Sequence, residues 1–374
     1  MLVSGEGNVT SSTPSNGSFI LKRSTARDLE HKMLLTYYCF IMFAAIAGNS
    51  LVCLAIYVDR RLRSPTNWFI VSLAVSDLLY GSTSLPFRIA KHWNPLVTES
   101  VHACRMWIWI DMACAAASIA NLAAVSVDRR LKITRPFTYY IEMTNKRAFT
   151  AICGVWAYAV LLASLSIVKW PGHPGVSAGC SNESKVFYTV AMVVGFMTPL
   201  TILVINYCFV YATAWKQFRR MKQDIVCQGE ETKRTHLILS RDFKATKTLA
   251  IVIGSFCFCW CPFFILFTIV QNDYSVFSHL NRSSKKAIFF PFFLILPNLN
   301  VVCNPVIYAY FNREFRKAFR CCLRKLSLRI CQDRAKQPSK ELNLESLTSY
   351  SLRKEILSLS DHRNSEMEQK MLRE

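Results

Sequence analysis

Seven apolar stretches, over about residues 34–58, 66–90, 104–128, 147–170, 186–212, 246–271 and 286–310, dominate this chain of 374 residues. Each approaches or exceeds the roughly 20 apolar residues that a helix rising 1.5 Å per residue needs to cross ~30 Å of hydrocarbon. The expectation is an all-α membrane protein, a bundle of seven transmembrane helices rather than one water-soluble core. With 52% hydrophobic and 18% charged residues, the composition also excludes general disorder. Residues 1–33 are rich in Ser, Thr, Gly and Asn and lack the basic start and apolar core of a cleavable signal, so the first span is expected to act as its own insertion signal.

The formal net charge of +21 would suit nucleic acid, but its placement argues for topology instead. About 33 of the 45 Lys and Arg fall in 59–63, 128–147, 216–247 and the tail from 312, which is the positive-inside asymmetry of a multi-pass protein. The sequons at Asn8, Asn16, Asn182 and Asn281 all fall on the opposite side, in the amino-terminal segment and the loops after spans four and six. Both clues place the amino terminus outside the cell and the carboxyl terminus in the cytoplasm. Of 15 Cys, only Cys104 and Cys180 sit at or beyond the outer face, where an oxidising exterior favours a disulfide between them over two free thiols.

Four regions follow: an extracellular segment 1–33, the seven-span domain 34–310, an amphipathic helix 311–325 and a cytoplasmic tail 326–374 expected to be disordered. The basic segment 216–245 is too short for a domain and reads as a loop continuing its two flanking helices. In the run after Tyr310, Phe315, Ala318, Phe319 and Cys322 recur at helical spacing, giving a short helix lying on the membrane. Cys321 and Cys322 follow it, as candidates for palmitoylation or as plain cytosolic thiols.

Ionisable residues inside spans cost on the order of 3 kcal/mol and so suggest function. Asp77 lies mid-span at a depth shared with Asn49, Ser118, Asn300 and Asn304. Asp77, Ser118, Asn300 and Asn304 could hold a small cation such as sodium, or form a hydrogen-bond network around a protonated acid; no other cofactor is expected. Asp111 and Arg129 stand 18 residues apart, five turns and about 27 Å along one face of the third span. That puts a carboxylate near the outer surface and a guanidinium near the inner one. No Lys or Arg at the depth of Asp111 is expected from spans two, five, six or seven, so its missing partner reads as a cationic ligand rather than a neighbouring helix. Trp107 one turn above, with Trp260, Phe263, Phe264 and Phe267 of the sixth span, would supply rings to an ammonium there. Taken alone, such a stripe suits packing equally well.

Taken in order these motifs resemble the rhodopsin-like, or class A, G-protein-coupled receptors over about residues 30–325. The matching elements are Gly48-Asn49-Ser50-Leu51-Val52, Leu73-Ala74-Val75-Ser76-Asp77, Asp128-Arg129, Trp156, Pro199 with Tyr207, Cys259-Trp260-Cys261-Pro262-Phe263-Phe264 and Asn304-Pro305-Val306-Ile307-Tyr308. The resemblance implies a plasma-membrane receptor with an outside ligand and a heterotrimeric G protein, with receptor kinase and arrestin as further partners, no nucleic acid and no enzymatic activity. It also implies a switch of Asp128, Arg129, Tyr207, Asp242 and Tyr308, in which Arg129 is held at rest by Asp128 and Asp242.

Asp111 occupies the position where biogenic amine receptors hold their ligand's ammonium, and Trp107, Met112, Trp260, Phe263, Phe264, Phe267 and Asn298 complete the implied ligand set. Several positions depart from that subfamily. Ala191 and Gly195 replace the serines of catecholamine receptors, and Ile295 and Asn298 replace the usual Trp and Tyr. Asn298 also stands where opsins carry their retinal-binding Lys, and Arg130 replaces a Tyr. A peptide or other non-amine ligand remains the alternative within the family. A transporter or channel is the alternative outside it.

Overall fold

The computed structural model describes residues 16–336 apart from 169, 171–175, 178–179, 183 and 224–229. It divides between Arg320 and Cys321 into two units, the first of which carries the bundle. Seven helical stretches in it are long and apolar enough to cross a membrane: Leu29–Val58, Pro65–Trp93, Val101–Thr134, Asn145–Ser164, Lys185–Thr213, Thr248–Asn272 and Ser283–Phe311. Large side chains such as Phe40, Phe43, Leu161, Phe209 and Ile265 are exposed within these spans, as helices that face lipid require.

Helix α1 (Asn16–Val58) forms the first span and begins well before residue 34, where the apolar run starts. The second span is α2 (Pro65–Leu79) and α3 (Leu85–Trp93), and α4 (Val101–Thr134) is the third. A short α5 (Pro136–Glu142) leads to α6 (Asn145–Ser164), which stops six residues short of the expected 170. Strands β1 (Val176–Ser177) and β2 (Ser181–Asn182) pair antiparallel, a small hairpin that the all-helical expectation omitted. The fifth span is α7 (Lys185–Met192) with α8 (Thr198–Gln223), and the sixth is the outer part of α9 (Glu230–Asn272). The seventh joins α10 (Arg282–Phe290) to α11 (Leu296–Phe311), and α12 (Arg313–Lys336) follows, longer than the expected 311–325.

Local chemistry sets these boundaries. Ser64, Ser100, Thr144 and Ser184 cap α2, α4, α6 and α7, each side-chain oxygen accepting an N–H of the first turn. Pro262 and Pro305 interrupt the backbone ladders of α9 and α11.

Spans two, five and seven each contain a π-turn, at Tyr80–Ser84, Val193–Met197 and Pro291–Ile295. Hydroxyls serve the backbone carbonyls at these turns. Tyr37 donates to Ile295 O at 2.8 Å, Tyr158 to Val194 O at 2.6 Å, Thr198 to Val193 O at 3.0 Å and Ser82 to Leu79 O at 3.3 Å. Two of these bonds come from a different helix, so the irregular turns are tied into the bundle.

Helix α4 is the centre, packing against α2, α6 and α8. Ala116 and Ala117 bury themselves against Ala159 and Leu162 of α6, the close approach that small residues permit without a hydrophobic driving force. Gly48 performs the same service between α1 and α11, since a Cβ there would come within 2.7 Å of Pro305. Trp156 donates from its indole to Ser72 Oγ at 3.0 Å, joining α6 to α2. Phe315, Ala318 and Phe319 of α12 are all buried, as their spacing requires, and Phe315 stacks on Tyr308.

Candidate functional site

A cavity of about 280 Å³ opens beside α4 on the Cys104 side of the bundle. Trp107, Asp111 and Met112 supply its α4 wall, and Trp260, Phe263, Phe264 and Phe267 supply its α9 wall. Among the described residues, Asp111 is the sole Asp, Glu, Lys or Arg that lines it. Cys180, disulfide-bonded to Cys104, lies on the same boundary and carries a left-handed φ of 59° in the turn of the hairpin. That turn brings the loop after α6 onto the cavity.

The aromatic wall is a connected stack. Phe263 lies 5.7 Å from Trp260 edge-on and 5.7 Å from Phe267 face-on. Phe196, next to the π-turn glycine Gly195, stacks on Phe264 at 3.8 Å, and Tyr188 meets Phe267 edge-on at 4.8 Å. Sequence reasoning missed Phe196 and Tyr188, although both are aromatic residues of an apolar span at the level of the sixth-span rings. Trp260 Nε1 is buried without a hydrogen-bond partner. Ala191 and Gly195 both line the cavity, so span five offers no hydroxyl at those positions.

The expectation that no neighbouring helix neutralises Asp111 is corrected by Arg88. Its Nη2 lies 3.1 Å from both Asp111 oxygens, and Ser84 Oγ also donates to Oδ1. Trp107 completes the cluster, donating from its indole to Ser84 Oγ at 3.0 Å and lying with its ring 5.0 Å below the guanidinium. Ser84 closes the π-turn and Arg88 stands four residues on, so both turn toward α4 from the second span. The available signal was the Ser84, Arg88 spacing of four. A depth count along an unbroken α-helix hid it.

Asn298 is corrected as well. It is 1% exposed and absent from the cavity wall, bonded instead by the Tyr80 hydroxyl and to the Leu294 carbonyl.

Deeper in the bundle, Asp77 is 2% exposed and accepts from Asn304 Nδ2 at 2.9 Å. Ser118 and Asn300 are also buried, and Ser118 Oγ and Asn49 Oδ1 have no hydrogen-bond partner. A buried acid bonded by one amide, in a bundle that also buries unpartnered oxygens on Ser118 and Asn49, has the oxygen chemistry that suits a hard cation.

At the far end of α4 the expected Asp128–Arg129 pair is absent: no ion pair joins these residues among the described ones. Asp128 is held by two hydroxyls, Thr66 at 2.5 Å and Tyr139 at 2.8 Å, which occupy both its oxygens. Adjacent residues on a helix diverge by about 100°, so Asp128 turns to α2 and α5 while Arg129 does not follow. Arg129 is 9% exposed and its Nε lacks a partner. Arg130 bonds Asn206 at 3.2 Å and lies over the Phe209 ring, tying α4 to α8. Tyr207 packs on the cluster of Phe69, Val125, Ala148 and Leu249. Tyr308 is buried with its hydroxyl unpartnered.

The side chains of Asp242, Asn16 and Asn182, the residue Asn8 and the tail 337–374 lie outside the described residues. Asn281 is exposed and caps α10 through its Oδ1. Cys321 is exposed and Cys322 buried.

Residues 48–308 match the family described as 7 transmembrane receptor (rhodopsin family). Over 323 residues the chain is 34% identical to the alpha-1A adrenergic receptor of Oryzias latipes, covering 78% of this chain but only 66% of that receptor, just under two thirds. It is 33% identical to the histamine H2 receptor of Cavia porcellus, covering 82% of this chain and 88% of that receptor. Identity to the D(1) dopamine receptor of Carassius auratus is also 33%, over 75% and 86% of the two chains.

Proposed function

This chain belongs to the rhodopsin family of seven-transmembrane receptors, and from that premise we infer that it binds a small cationic amine at Asp111 and signals through a heterotrimeric G protein. As a member it is a multi-pass plasma-membrane receptor and not an enzyme. The observation that supports the amine is the cavity itself, in which the Asp111 carboxylate, with Arg88 at its edge, faces a wall of rings. An ammonium there gains a charge-assisted bond and cation–π attraction. The relatives named above are receptors whose names specify amine or adrenergic ligands, which agrees. With Ala191 and Gly195 on the wall, the amine is not a catechol held through span five.

The cavity end faces outward, toward the side of the sequons, and the Arg129 end faces the cytoplasm and the G protein. Arg129, with Tyr207 and Tyr308, forms the switch; Asp128 takes part through Thr66 and Tyr139. Asp77, Ser118, Asn300 and Asn304 would hold an allosteric sodium ion, which would supply positive charge to the buried acid and favour the resting bundle. Receptor kinase and arrestin act on the activated receptor, Asn281 carries glycan, and Cys321 carries palmitate.

The deciding experiment applies a panel of biogenic amines to cells expressing the chain and reads G-protein activation against untransfected cells. An amine response that Asp111→Asn weakens by roughly 30-fold or more is the expected result, since losing a charged partner costs about 2–5 kcal/mol. A response equally strong in wild type and Asp111→Asn would sink the amine reading.

A further inference from the structure

Asp111 already has a cation. One nitrogen of Arg88 lies 3.1 Å from each carboxylate oxygen, where an arriving ammonium would sit. Trp107 lines the cavity and also lies beneath the guanidinium at 5.0 Å, so Arg88 stands at the cavity's edge against two of its wall residues. Lys91 lies over the same ring at 5.7 Å and adds positive potential on that edge.

A ligand bearing only an ammonium therefore exchanges one ion pair for another. Arg88 stays charged at any physiological pH, and its Nε is already buried without an acceptor. Once displaced, it keeps Tyr38 and Tyr80 as neighbours, and their phenol oxygens can accept from it but carry no charge. Neither replaces a carboxylate. The cost of leaving a half-buried guanidinium without its carboxylate falls on every plain amine. A ligand with its own anion avoids that cost, because the two protein charges and the two ligand charges close into alternating pairs.

We propose that Arg88 selects the ligand's chemical class: the receptor takes an amine that also bears an anionic group, a zwitterion of amino-acid type, with its ammonium on Asp111 and its carboxylate on Arg88. This rests on the amine reading of Asp111 and narrows it. Arg suits the task better than Lys because its planar fork can bond Asp111 and a ligand carboxylate side by side. Selectivity then comes from an unpaired charge penalising the wrong ligand as much as from a contact rewarding the right one.

The test uses matched pairs that differ by one carboxylate, each amine against its parent amino acid: histamine with histidine, tyramine with tyrosine, tryptamine with tryptophan. G-protein activation is read in cells expressing the full chain as wild type, Arg88→Gln or Asp111→Asn, at matched surface expression. In wild type the amino acid of the responsive pair should act at a concentration at least about tenfold lower than its amine, and Arg88→Gln should reverse that order by weakening the amino acid and strengthening the amine. Activation by amines alone in wild type, or a ratio that Arg88→Gln leaves unchanged, overturns the role of Arg88. In that event, loss of all responses in Asp111→Asn leaves the amine reading standing, whereas undiminished responses in Asp111→Asn overturn that reading itself. Should Arg88→Gln fail to reach the surface, Arg88→Lys keeps the charge without the fork. It should shrink the amino-acid preference, and an unshrunk preference overturns the proposal.

Discussion

Replacing Asp111 with Asn preserves shape but removes the charge that faces Arg88. The carboxylate accepts two contacts from Arg88 Nη2 and one from Ser84, so the variant leaves a guanidinium opposite a neutral amide. The side chains of the pair are 19% and 28% exposed, between the surface limit of at most about 1 kcal/mol and the buried limit of about 3–5. A loss of about 2 kcal/mol follows. Arg88→Gln costs less, about 1 kcal/mol, because the stranded carboxylate borders the cavity and keeps Ser84 as donor. In the double variant Gln and Asn bond each other, so its loss should fall short of the sum of the singles by about 1–2 kcal/mol. For a chain of this size, 2 kcal/mol lowers the melting temperature by about 2–3 °C. The assay is thermal unfolding of detergent-solubilised receptor with a maleimide that fluoresces on reaching Cys114 and Cys259, both buried in the folded state. One scan rate serves all variants, since unfolding of such a protein is a rate measurement. Strictly additive losses, or an Asp111→Asn receptor that melts with wild type, would refute the ion-pair reasoning.

Tyr139→Phe removes one of the two hydroxyls that hold Asp128, about 1 kcal/mol, and should raise ligand-independent signalling about fivefold; basal activity equal to wild type at matched surface expression counts against it. Asp77→Ala should abolish the sodium dependence of agonist affinity, because ion and agonist must weaken each other by the same factor; a dependence that survives the substitution dismisses the ion site. Acyl-exchange labelling should be lost in Cys321→Ala and kept in Cys322→Ala, since only the first thiol is exposed. Equal labelling of both variants and wild type rejects the modification.

The spans and the cavity-lining residues of α4 and α9 were legible because they depend on local quantities. Apolar length sets the helices, and the four-residue spacings Trp107–Asp111, Trp260–Phe264 and Phe263–Phe267 place side chains on one face whatever surrounds them. Arg88 was not legible, because its direction depends on the π-turn before it. A π-turn holds an extra residue, which swings everything beyond it by about 100° relative to a uniform helix. Composition at Tyr80–Ser84 does not announce one. The same holds for Asn298, which follows the π-turn at Pro291–Ile295 and bonds Tyr80 instead of meeting the cavity. Asp128 was misassigned for another reason. The family resemblance implied Arg129 as its partner, whereas Thr66 and Tyr139 come from elements 62 and 11 residues away and take both oxygens.

The π-turns give the gene a particular kind of freedom. Elsewhere in a helix, losing one codon breaks the match between a buried stripe and its neighbours. Inside 80–84, 193–197 or 291–295 the same loss restores an ordinary helix and turns one end of the span against the other. The apolar length of the span is kept while the face shown to the ligand changes. Deleting Thr83 should therefore yield a receptor that reaches the cell surface with Arg88 rotated away from Asp111, and failure to reach the surface would show that the turn is needed for folding. In lineages of this receptor, single-codon indels at these three places would be steps in specificity rather than null alleles.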